Sequence, residues 1–150
     1  MIFNLDLILN RALYRTVKNK ASSKLKDSMV VPANGRPAEV KVGYRTIRIK
    51  YVRPDFIMDD MTDSYGEYRP REGVIYIQDS LVPQERCNTT WHEILHAVVY
   101  IFSLNQANGP LKEDDAEELV VNTVSNAMMG VYRDNPWLLD MLKENLNSID

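Results

Sequence analysis

One cysteine, Cys87, is all that this chain of 150 residues contains, so no internal disulfide can close. That scarcity fits a reducing compartment, and a cytoplasmic setting is expected. Long apolar runs are missing as well. The run Leu7-Ile8-Leu9 near the start falls far short of the ~20 apolar residues a membrane helix needs. The segment around it lacks the basic start and small-residue cleavage site of a signal peptide, and no membrane association is expected. Nor is positive charge in excess. The net charge is −3, which gives no general attraction to nucleic acid. Internal repeats and low-complexity tracts are absent. Histidine is scarce, with only two in the chain.

What is present is an ordinary globular balance. Apolar residues make up 45% and charged residues 26%, which at this length supplies one core. Charge is unevenly placed. Arg11, Arg15, Lys18, Lys20, Lys24 and Lys26 share a stretch with no acid, whereas Glu113, Asp114, Asp115, Glu117 and Glu118 cluster far downstream. A solvated helix face explains the basic stretch better than nucleic-acid contact, since Tyr14 is its only aromatic residue.

Apolar spacing predicts a helix over 4–20 through Leu5, Ile8, Leu9, Ala12, Leu13 and Val17. Pro32, Asn34-Gly35 and Pro37 mark an irregular connection over 27–38, so residues 1–38 form a basic N-terminal part. The main domain is expected over 39–150. Residues 39–53 are rich in β-branched and aromatic side chains, with a turn near Gly43 to Thr46. Further strands are expected at Tyr65 to Tyr68 and at Val74 to Ile77. Pro83 can open a helix at its first position. Trp91, Ile94, Leu95, Val98, Val99 and Phe102 then follow an apolar stripe on it. A second helix is expected from Glu113 to about Arg133, with Val121, Val124, Met128, Val131 and Tyr132 inward. A last short one runs from Trp137 to Leu146, and Trp91 and Trp137 are expected core anchors. This order implies an α+β fold with a small, mostly antiparallel sheet and helices packed to one side.

The two histidines stand four apart, with a glutamate directly after the first: His92-Glu93-Ile94-Leu95-His96. Roughly one shuffled sequence in a thousand of this composition would carry that pattern. On a helix, four residues advance about 400° and about 6 Å, so His92 and His96 project from one face a turn apart. Two neutral imidazoles so placed can bind one Zn²⁺. Glu93 points roughly 100° away from them. It does not join the ligands but can reach a water on the metal and take its proton as general base.

A catalytic zinc site needs a third protein ligand and an open fourth position. No third histidine exists, and Cys87 lies about 500° round and about 7.5 Å along the same helix from His92, a poor ligand position. A carboxylate from Asp114, Asp115, Glu117 or Glu118 is the alternative. Helical phase puts Glu117 near the centre of the apolar stripe and Glu118 on its flank. Glu118 has Asn122 one turn on, a candidate partner for the other ring nitrogen of a ligand histidine, which favours Glu118. For the donor that a peptidase needs to stabilise an oxyanion, Tyr65, Tyr68, Tyr100 and Tyr132 stay open.

The stretch Thr89-Thr90-Trp91-His92-Glu93-Ile94-Leu95-His96-Ala97 resembles the zinc helix of the ImmA/IrrE-like metallopeptidases of phages and mobile elements. Glu118, Val121-Asn122, Val124-Ser125 and Met128-Met129 are similar to that family's following helix, with Val121 where the family has alanine. The Arg133-Asp134-Asn135-Pro136 ending and the strand Val74 to Ile77 also fit. Over roughly residues 39–140 the resemblance implies a zincin-like fold, with His92, His96 and Glu118 as ligands and Glu93 as base. It implies a zinc-dependent peptidase acting on a protein or peptide substrate, for which a regulator is one candidate. The competing expectation is a non-catalytic zinc-binding interaction module of the same fold; it would not need Glu93. A third is a nucleic-acid-associated regulator using the basic N-terminal arm, but the chain has no evident helix-turn-helix unit.

Overall fold

The computed structural model describes residues 35–54 and 64–146. Contacts divide the chain into two compact units, Met1–Glu39 and Val40–Asp150. The helix expected over 4–20, most of the connection over 27–38 and the acidic loop Asp59–Asp63 lie outside the described residues. The second unit, with Glu39 opening its first strand, is an α+β body.

Strand β1 (Glu39–Val42) turns at Gly43-Tyr44 into β2 (Arg45–Val52). Gly43 has a φ of 55°, a left-handed conformation that costs glycine little because it has no Cβ. Strands β3 (Gly66–Arg69) and β4 (Val74–Gln78) form a second hairpin, and the four strands lie in the order β1-β2-β4-β3. β3 runs antiparallel to β4, with Tyr68 opposite Ile75. The central pair departs from the expected mostly antiparallel sheet. β4 runs parallel to β2, with Ile49 opposite Ile75, so the sheet is mixed. Every residue of β4 is buried, so this strand gains most from the centre. The chain from 53 to 73 is long enough for the crossover that a parallel neighbour requires, and it leaves β3 on the edge.

Helix α1 (Pro83–Ile101) lies against β3 and β4. Ile47, Ile49, Ile75 and Ile77 alternate toward it and form one apolar cluster with Val42, Leu81 and Ala97. Ile94, Val98 and Ile101 complete the helix side of that core, while Phe102 at its end is exposed.

Helix α2 (Asp114–Asp134) packs on α1, and α3 (Pro136–Leu146) on α2. Only Val121 and Ser125 of α2 are buried, and Val124 and Val131 are exposed, contrary to the expected stripe. A helix with only a narrow strip covered cannot bury all its apolar residues. Trp137 is likewise exposed rather than a core anchor, at 60% of its full area. Among the described residues, no helix is long and apolar enough to cross a membrane.

Candidate metal centre

The two histidines project from the third and fourth turns of α1, one turn apart. Their rings meet edge to face at 4.7 Å between centroids, and their Nε2 atoms are 3.0 Å apart. Glu118 enters from the first turns of α2. Its Oε1 lies 3.1 Å from His96 Nε2 and its Oε2 lies 3.8 Å from His92 Nε2. His92, His96 and Glu118 thus gather three ligand atoms within 4.8 Å of one another, close enough to bind a metal ion.

The neighbouring glutamate does something different. Glu117 Oε1 is 2.7 Å from His96 Nδ1, across the ring from the gathered nitrogens. Its Oε2 accepts a hydrogen bond from Asn105 Nδ2 at 3.0 Å. One residue advances a helix by about 100°, so adjacent glutamates reach opposite sides of one imidazole. Asn122 donates to Glu118 Oε2 at 3.3 Å instead of accepting from a histidine, so it braces the carboxylate. Cys87 is exposed and 3.9 Å from Met129 Sδ, outside the cluster. Asp114 and Asp115 are exposed in the first turn of α2, where negative charge favours the helix N-terminus.

Glu93 is buried, with 6% of its area accessible. It turns toward the edge strand, where the Tyr68 backbone N–H bonds its carboxylate. Burial pushes its carboxyl up to about 7, against the opposing effects of His96 and that hydrogen bond. Burial also lowers the pKa of His92, with His96 adding to the effect and Glu118 opposing it. Both shifts favour uncharged forms at the site. Gly66 makes the approach of β3 possible: a Cβ there would stand 2.7 Å from Thr89 Cγ2 and 3.0 Å from Glu93 Cγ. An isolated glycine in a strand is a sequence signal of close backbone approach.

These groups line a cleft of about 380 Å³ between β3, α1 and the start of α2. Of the four candidate tyrosines, Tyr68 and Tyr100 line it and Tyr65 and Tyr132 do not. Tyr68 and Tyr100 pack edge to face at 6.2 Å. The Tyr68 hydroxyl is buried with no hydrogen-bond partner, and burial raises its pKa.

Sequence reasoning brought His92, Glu93, His96 and Glu118 to one site, and the structure places all four around the cleft. It did not find Asn105 or the Tyr68 N–H. Asn105 belongs to an irregular loop with no periodic signal, and a backbone group carries no residue-type signal at all. No family model, no curated protein and no solved structure matches the chain.

Proposed function

We propose that the protein is a zinc-dependent metallopeptidase that hydrolyses a peptide bond in a protein or peptide substrate. The observation that carries the reading is the convergence of His92, His96 and Glu118 beside a separate, buried Glu93 in one cleft. Three protein ligands are the number that a catalytic zinc site uses. Zinc bound there lowers the pKa of a water towards about 7 and polarises a carbonyl oxygen.

The chain's own groups supply the rest. His92 and His96 would hold the ion through Nε2, and Glu118 through its carboxylate, to which Asn122 donates a hydrogen bond. Glu93 acts as general base, takes a proton from the attacking water and delivers it to the leaving amine. The Tyr68 backbone N–H beside its carboxylate opposes the rise that burial causes. Gly66 keeps β3 close enough to seal one side of the base from solvent. The sheet-and-helix arrangement, with an antiparallel edge strand beside the histidine helix, supports the zincin-like reading. The resemblance of residues 89–97 and 118–129 to ImmA/IrrE-like peptidases points the same way.

The test compares the zinc-loaded wild type with Glu93→Gln on a mixture of unfolded proteins, reading new peptide termini by mass spectrometry. Wild type should generate new termini. Glu93→Gln should lose about 10²–10⁴-fold in rate while retaining its zinc. Equal cleavage by both removes Glu93 as base. Zinc uptake with no cleavage by either favours the non-catalytic interaction module.

A further inference from the structure

We infer that Glu117 is a positioning residue that sets the tautomer of His96 and that Asn105 locks it from the loop between α1 and α2. The inference rests on the metal-centre reading of His92, His96 and Glu118. Glu117 and His96 are 14% and 16% exposed at the side chain, while Glu118 is 53% exposed. The shielded glutamate is therefore the one on Nδ1, and the open one faces Nε2. A carboxylate oxygen accepts, and Glu117 Oε1 at 2.7 Å from Nδ1 is closer than Glu118 Oε1 at 3.1 Å from Nε2, which favours the ring hydrogen on Nδ1. Nε2 is then the ring nitrogen left to bind an ion held jointly with His92 and Glu118.

Both oxygens of Glu117 are engaged, one by His96 and one by Asn105. That leaves it poorly suited to serve as a ligand itself, and it is not part of the three-residue cluster. His92, among the described residues, has no carboxylate on Nδ1, so the device acts on one histidine only.

The loop is built to hold Asn105 still. Leu104 N–H bonds Val99 O at 2.9 Å and Leu111 N–H bonds Leu104 O at 2.9 Å, which pins the residue just before Asn105. Gly109 closes the loop where a Cβ would collide with Leu104 O. Glu117 therefore links the ligand histidine to a segment that holds none of the metal ligands.

The test combines imidazole ¹⁵N NMR of the metal-free chain with zinc affinity measured by chelator competition. In wild type, His96 should be the Nδ1–H tautomer. Glu117→Ala should move it toward Nε2–H, leave His92 unchanged and lower zinc affinity by about 10–100-fold with one zinc still bound. Glu117→Gln keeps an acceptor oxygen and should retain the tautomer and part of the affinity. Asn105→Ala should give a smaller loss in the same direction. An unchanged tautomer and affinity in Glu117→Ala overturn the inference, as does a loss of binding as complete as in Glu118→Ala, which would make Glu117 a ligand. Thermal melts check folding; should Glu117→Ala not fold, Glu117→Gln and Asn105→Ala decide the matter by the same readouts. A wild type that takes up no zinc defeats the metal-centre reading alone, because the tautomer is read without metal.

Discussion

Glu117 and Glu118 differ by one position and by about 100° of helix, and that angle divides their work. The pair was visible in the sequence as part of an acidic cluster, but helical phase and the partner argument pointed to different members. The geometry accommodates both: the inward member braces a histidine and the flanking one joins the ligand atoms. Gly66 makes a sharper residue-scale case. Gly66→Ala should cost about 1–3 kcal/mol in urea unfolding, because the new methyl meets Thr89 and Glu93. Thr89→Ala in the same chain should return part of that loss by removing the nearest atom. Tyr76 is tied to the turn between β3 and β4. Its hydroxyl donates to Glu72 at 2.8 Å, and with Arg69 it holds the Glu72 carboxyl below its usual 4.5. A depressed folded value means stability present above about pH 4.5 and lost as pH falls through the folded value. Tyr76→Phe should therefore be less stable than wild type at pH 6, with the gap shrinking as the pH falls below 4.5. A gap that grows on acidification would contradict the assignment.

At the scale of elements, the histidine helix and the strands were legible because their periodicities of 3.6 and 2 are written in the residues. Partnering was not. Nothing in Val74-Ile75-Tyr76-Ile77 says that it pairs in parallel with β2, since that depends on how the crossover over 53–73 folds back. Nor does an apolar stripe say how much of a helix will be covered, which is why Val124 and Val131 are exposed. Ile75 sits at the crossing of both pairings and is fully buried. Ile75→Ala should lower stability by about 2–5 kcal/mol, read from the urea midpoint. The glycines of α2 and its preceding loop give opposite expectations. Gly130→Ala meets nothing within 4 Å and should stabilise by about 0.8–1 kcal/mol. Gly109→Ala meets Leu104 O and should lower both the melting temperature and zinc affinity, since it disturbs the loop carrying Asn105.

Across the whole molecule, the sheet covers one face of α1, and the cleft opens between β3, α1 and the start of α2. The candidate ligand atoms come from α1 and α2, so a bound ion would tie together two helices, the second of which buries only Val121 and Ser125. Binding to the folded state alone stabilises it by about 2.7 kcal/mol at a hundredfold excess over Kd. Zinc should therefore raise the melting temperature, and a chelator should reverse the rise. Glu118→Ala should abolish that response while leaving the metal-free melt nearly unchanged, as Glu118 is exposed. The most direct measurement is metal content by atomic spectroscopy after zinc loading and removal of free ion. One zinc per chain is expected in wild type and none in His96→Ala. Zinc-free wild type under replete conditions, or equal zinc in His96→Ala, would contradict the metal-centre reading.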